Sequence, residues 1–203
     1  MKKLFAAAIV TALASTANAA ELRVGAGFAF GSLESRSGGV TTDYDVDSEM
    51  FGGELYWGES GPFISAQFQK HALTDPASNN READVNLYGI GWRAGSYGEA
   101  QFVVKGGLQQ ADSDVQGNVD GKFLYTGVEG SGEFGRMSGG LIYSRGEEIE
   151  NRSLGLQLEG IFYPTTYAGI GAFAEYNSYV RSSASSWTAG LKVEFRGYFF
   201  ESY

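Results

Sequence analysis

The residues best able to do chemistry in this 203-residue chain are acids and bases that alternate with apolar neighbours. Glu54, Glu159, Glu175 and Glu194 sit in such alternating stretches, as do Arg23, Arg93, Lys105, Arg136, Lys192 and Arg196. Gathered in one low-dielectric space, near-equal numbers of both signs form a salt-bridge network. Lining water instead, the same set forms a charged pathway for ions or small solutes. His71 is the only histidine and so the only general base tuned near neutral pH. Partnered by Asp75, four residues on, it would make only a local loop contact. The run Asp43-Tyr-Asp45-Val-Asp47-Ser-Glu49 has carboxylates at alternate positions, but Ser48 stands where a calcium loop needs glycine. Asp112-Ser-Asp114-Val-Gln116-Gly117 has the glycine, and Phe123 falls where the twelfth-position glutamate belongs. Asp43, Asp45 and Asp47 are the nearest approach to a metal site and read as solvated loop acids. Neither metal nor cofactor is expected.

The elements that must position these side chains show a period of two, the signature of strands whose faces see different surroundings. Ten such segments follow one another from residue 22 onward. In the first, Leu22, Val24, Ala26, Phe28 and Phe30 oppose Arg23, Gly25, Gly27, Ala29 and Gly31. The eighth sets Leu154, Leu156, Leu158 and Phe162 against Ser153, Gly155, Gln157 and Glu159. Two segments leave their phase open. In the fourth, Tyr88, Ile90 and Trp92 are favoured on the apolar face, which leaves Val85 and Leu87 on the polar one. In the sixth, Leu124, Thr126 and Val128 compete with Phe123 and Tyr125. Polar loops are expected over residues 32–48, 74–82, 111–120, 146–151 and 178–185. Tight Gly, Ser or Pro turns separate the remaining pairs.

Met1-Lys2-Lys3, an apolar run to Ala14 and Ala17-Asn18-Ala19 have the layout of a secretory signal peptide. The expected division is a removed signal over residues 1–19 and one domain over 20–203. Without Lys2 and Lys3, 13 basic residues face 24 acidic ones, which excludes nucleic-acid binding through a phosphate-neutralising patch. No cysteine is present, so no disulfide framework is available. Thirty glycines, about twice the usual share of roughly 7%, suit strands that curve sharply around a narrow interior.

The last segment runs Trp187-Thr-Ala-Gly-Leu-Lys-Val-Glu-Phe-Arg-Gly-Tyr-Phe-Phe-Glu-Ser-Tyr203, with Trp187, Ala189, Leu191, Val193, Phe195 and Phe199 in one phase. It resembles the closing strand of Gram-negative outer-membrane β-barrels, which ends on an aromatic residue. Glu201 departs from that pattern. The resemblance implies an all-β fold, a ten-stranded antiparallel transmembrane barrel with eight strands as the nearest alternative, in the cell outer membrane. It implies that Phe195, Phe199 and Tyr203 form the signal read by the barrel-assembly machinery. Long loops alternating with short turns are the asymmetry of such barrels. Trp57, Trp92 and Phe162 near the short-turn end, and Tyr143, Tyr176 and Trp187 near the long-loop end, match two interfacial aromatic girdles. The remaining partners implied are outer-membrane lipid and lipopolysaccharide, with the chain a monomer.

The chain departs from the motifs of two enzyme families of that membrane. The lipid A deacylases carry His-x-Ser on a strand, where this chain has His71-Ala72-Leu73. The omptin proteases need a histidine two residues after an aspartate, and Gln69 occupies that position here. Strands of about ten residues would also be too short to raise such a cleft above the membrane. The reading is therefore non-enzymatic, with a structural or surface-interaction role and a polar, largely filled lumen. A narrow channel is the alternative and a lipid-modifying enzyme or protease the third. Ten strands enclose little space, whereas porins with aqueous channels use about 16–18.

Overall fold

The computed structural model describes residues 20–37, 39–95, 100–114, 117–146, 152–179 and 184–199. The proposed signal peptide and Tyr203 lie outside them. Ten strands follow in order: β1 (Ala20–Ser37), β2 (Val40–Trp57), β3 (Gly61–Thr74), β4 (Asn80–Ala94), β5 (Ala100–Ser113), β6 (Gly117–Gly132), β7 (Gly135–Gly146), β8 (Arg152–Phe162), β9 (Ala168–Tyr179) and β10 (Ala184–Phe199). Each pairs antiparallel with its neighbours in sequence, and β1 pairs with β10 to close the barrel. Closure leaves no sheet edge to template association.

The register fixes the geometry. Following partners from Phe28 through Leu191, Ala172, Gly160, Met137 and Gly130 reaches Ala100 on β5. Going the other way, through Glu49, Lys70 and Asp84, reaches Asp112 on the same strand, twelve residues along. A stagger of this size requires strands tilted by about 40° to the barrel axis.

The period-two pattern is realised as an apolar exterior. Phe28, Phe30, Ile90, Trp92, Phe102, Leu108, Leu154, Leu158, Ile170, Leu191 and Phe195 are large and exposed, while their alternate neighbours point inward. Both open phases resolve. Tyr88, Ile90 and Trp92 face out on β4, leaving Val85 and Leu87 inside; Leu124, Thr126 and Val128 face out on β6, with Phe123 and Tyr125 buried inside. Of the girdle residues, Trp92, Phe162, Tyr143, Tyr176 and Trp187 are exposed on the outer face and Trp57 is half-buried.

Two expectations about the connections fail. Most of residues 32–48 and 111–120 is strand: β1 and β2 each span 18 residues, and β3 to β6 span 14, 15, 14 and 16. Crossing a hydrocarbon core takes about 9–11 tilted residues, so these strands rise well past it. Charged residues alternating with Tyr, Val or Ser lack the apolar mark of a membrane strand, yet a strand with water on its outer face needs no more. The extended rim also removes the objection that the strands are too short to stand above the membrane. The connection 75–79 is a true loop. Asp75 accepts hydrogen bonds from the backbone N–H groups of Ala77 and Asn79 and from the Asn79 amide, each at 2.9 Å. Those donors hold its carboxyl below the usual carboxylate range.

The two faces make opposite demands on a charge. Leu156, exposed on β8, becomes unfavourable by about 2–4 kcal/mol as arginine if it sits near the bilayer midplane. Gln157→Arg, on the inward face beside Glu175, is expected to cost less than half as much in urea titrations of the refolded protein. Equal losses would mean that β8 has no lipid face.

Candidate functional site

Ten inward-facing strands bring the alternate residues of each into one lumen, and the short-turn end of that lumen is filled by ions. Arg23 on β1 donates through Nη1 to both oxygens of Glu129 on β6, at 2.9 and 3.0 Å, and through Nε to Glu21 at 2.9 Å. Arg93 on β4 reaches the same Glu129 at 3.4 Å and Glu21 at 3.5 Å. Arg136 on β7 forks onto Glu194 of β10 at 3.1 and 2.6 Å, lies 3.6 Å from Glu129, and also pairs with Glu159. Lys192 bridges Glu159 at 2.8 Å and Glu194 at 3.1 Å. Lys105 on β5 donates to Glu54 at 3.2 Å. Arg23, Arg93, Arg136, Glu129 and Glu194 are all buried. Such charges persist in a low dielectric only when each is paired and hydrogen-bonded, which the forked arginine geometry provides.

Aromatic rings complete the plug. Tyr56 donates its hydroxyl to Glu54, and its ring lies 4.0 Å from the Arg93 guanidinium and 4.7 Å from that of Arg23. Tyr163, in the turn after β8, donates to Glu194 at 2.5 Å. Arg196, expected in the ionic network, instead stacks on the Tyr163 ring at 3.9 Å and donates to the Thr166 carbonyl at 2.6 Å. The β8–β9 turn, which supplies both Tyr163 and Thr166, packs against Arg196 and takes up its guanidinium. Gln101 donates to the Glu59 carbonyl at 2.9 Å, and Arg93 to that of Gly58 at 3.1 Å, so the turn backbones are stitched to the plug.

Beside the ions the lumen also carries a group of apolar side chains that the expected polar filling does not include. Tyr56, Phe63, Val103, Phe123, Tyr125 and Ile142 form a buried cluster, with Leu87 packed against it. A barrel this narrow has to fill its interior with side chains, and apolar ones fill it without needing partners. A cavity of about 150 Å³ lies between this cluster and the ions, reached by Lys105, Glu159, Glu175 and Lys192. Among the described residues Glu175 has no basic partner; it accepts from Gln157 at 3.1 Å and Asn177 at 2.6 Å.

The sequence reading missed Glu21 and Glu129. Glu21 precedes the first apolar residue of β1, and Glu129 lies on the strand whose phase was open. Parity was the available signal: once Phe123 and Tyr125 are placed inside, Glu129 must follow them. His71 faces inward and meets Ser48, not Asp75: the Ser48 hydroxyl lies 2.7 Å from Nδ1. A hydroxyl at that distance from a ring nitrogen is the first half of a nucleophile–base pair. Here it joins direct register partners on β2 and β3, and Asp84, the nearest acid by charge, is on the outer phase of β4. Asp43, Asp45 and Asp47 are not in a loop. They lie along the outer face of β2 at every second position, about 6–7 Å apart along the strand, and do not converge. Phe195 is exposed on the outer face of β10, and Phe199 is the last residue of that strand.

No protein-family model matches the chain, and no curated protein is significantly similar to it. Among solved structures, the outer membrane protease OmpT from Escherichia coli is similar over 91% of this chain and 98% of its own, at 10% identity and a TM-score of 0.51. Neisserial surface protein A is similar over 86% of this chain and 96% of its own, at 10% identity and a TM-score of 0.49. At such identity the likeness speaks for the fold. By its closed ten-strand order, its apolar exterior and that likeness, the chain is an outer-membrane β-barrel in fold.

Proposed function

We propose that the chain is a non-enzymatic, closed barrel of the cell outer membrane with a structural or surface-interaction role. The observation that supports it is the interlocked set Arg23, Arg93, Arg136, Glu129 and Glu194, which occupies the short-turn end of the lumen with buried charges of opposite sign paired across strands. An ion entering there has to break those pairs and desolvate as well. The extended β1–β6 rim then serves as the displayed surface, and lipid and lipopolysaccharide are the partners of the apolar belt. The chain acts as a monomer, because closure through β1 and β10 leaves no edge strand, and β10 is the segment offered to the assembly machinery. The cavity bordered by Lys105, Lys192, Glu159 and Glu175 is where a narrow channel would begin, and the ionic set below it is what distinguishes the two readings. Planar-bilayer recording on the refolded protein tests the choice: no steady current is expected, and a steady one makes the chain a channel.

A further inference from the structure

Around the rim, charge is divided by sector. Asp43, Asp45, Asp47 and Glu49 on β2, Asp84 on β4 and Asp112 on β5 face outward and make one side acidic. The sector over β6, β7 and β8 carries a row of bases, with the exposed Asp120 one outward position above Lys122. Lys122, Arg145 and Arg152 are direct register partners across those three strands, Lys122 opposite Arg145 and Arg145 opposite Arg152. All three share the outward phase of their strands; Lys122 and Arg145 are exposed and Arg152 is half-buried. Among the described residues no ion pair involves any of them, and the Arg152 Nε is buried without a hydrogen-bond partner. Like charges directly opposite one another on adjacent strands destabilise the sheet. Three in a row persist at a surface if an anion lies over them.

What lies beneath the row identifies that anion. The next outward positions are Leu124, Tyr143 and Leu154, again mutual register partners and all exposed, followed by Thr126, Leu141 and Leu156. A cationic row thus caps an apolar patch two positions deep. This is the profile of a molecule with acyl chains below and a phosphate above. Guanidinium forks fit phosphate oxygens bidentately, and the lysine adds a point charge. We infer that Lys122, Arg145 and Arg152 bind the headgroup phosphate of an acylated lipid whose chains lie on Leu124, Leu141, Leu154 and Leu156. The sector over β2 to β5, where Asp43, Asp45, Asp47, Glu49, Asp84 and Asp112 outnumber Lys70, is the less favourable side for the same headgroup.

This inference rests on the membrane-embedded reading but not on closure of the lumen, so failure here leaves the current recordings unaffected. The connection between β7 and β8 supplies the rival anions, Glu147, Glu148 and Glu150, and the test has to separate them. The probes are a bisphosphorylated acyl disaccharide and its dephosphorylated form, offered to the full refolded chain in detergent and read by native mass spectrometry. The parent should prefer the phosphorylated form by about tenfold or more, as charge-assisted pairs allow. R145Q/R152Q should lose most of that preference while keeping the folded electrophoretic mobility. K70Q, which removes a base from the acidic sector, should not. A preference that survives in R145Q/R152Q overturns the assignment. So does its loss on adding excess inorganic phosphate, which would mean a free-anion site. A preference absent in the parent and gained in E147Q/E148Q/E150Q also overturns it, because the connection would then already neutralise the arginines.

Discussion

Arg136→Gln is expected to lower the stability of the refolded barrel by about 3–5 kcal/mol, the usual loss when one partner of a buried ion pair is removed. Arg136 is the shared cation of three carboxylates: it forks onto Glu194, touches Glu159 and lies 3.6 Å from Glu129. Glutamine keeps two donors and much of the volume but removes the charge, leaving Glu194 with Lys192 and Tyr163 alone. Arg136→Met with Glu194→Gln should recover part of the loss, since replacing a buried pair by neutral groups is far less costly than orphaning one member. Urea titration monitored by tryptophan fluorescence measures both. A loss below about 1 kcal/mol, typical of solvated pairs, would mean that this end of the lumen is wet.

Gly190→Val is expected to prevent closure outright. Gly190 lies opposite Ala29 at the β1–β10 seam, and a Cβ there would stand 2.0 Å from the Phe28 carbonyl oxygen and 2.6 Å from the Ala29 Cα. Those are backbone atoms of the partner strand, so no rotamer change relieves the clash. Gly31, two positions up on the other side of the same seam, is equally tight: a Cβ would lie 1.8 Å from the Trp187 carbonyl oxygen. The cost should exceed about 3 kcal/mol, the upper end of ordinary overpacking. Ala189→Val, one residue away on the lipid side, should change stability by less than about 1 kcal/mol. The readout is the mobility difference between heated and unheated protein in detergent electrophoresis, which the Gly190 variant should lack and the Ala189 variant retain.

The barrel was legible because its two faces see different solvents, and strict parity records that difference residue by residue. Strand number, inward and outward sides and the order of pairing all follow from parity plus short turns. Strand length did not, because above the membrane the outer face returns to water and the outer residues of β2, Asp43 to Glu49, lose the apolar mark that identified the strand lower down. The site was half legible. Arg23, Glu54, Arg93, Lys105, Arg136, Glu159, Lys192 and Glu194 could be placed inside individually, but which ions meet depends on a stagger that only the register reveals. Glu129 and Arg136 are neighbours because the β6–β7 turn is short, whereas Arg196 is held by Tyr163 and the Thr166 carbonyl, contacts from a turn that parity does not record. The apolar cluster in the lumen is hidden for a related reason: Phe63, Val103 and Ile142 occupy inward positions whose neighbours outside are also apolar, so alternation gives no contrast there.

The central claim, that buried ion pairs close the lumen, is tested most directly by single-channel recording of the parent beside Arg136→Gly/Glu194→Gly. The parent should show no steady conductance, and the double variant, which removes the two side chains spanning β7 and β10, should show discrete openings. Steady conductance in the parent, with an ion selectivity moved by Glu159→Gln while stability stays put, would contradict the account and make the lumen a pathway.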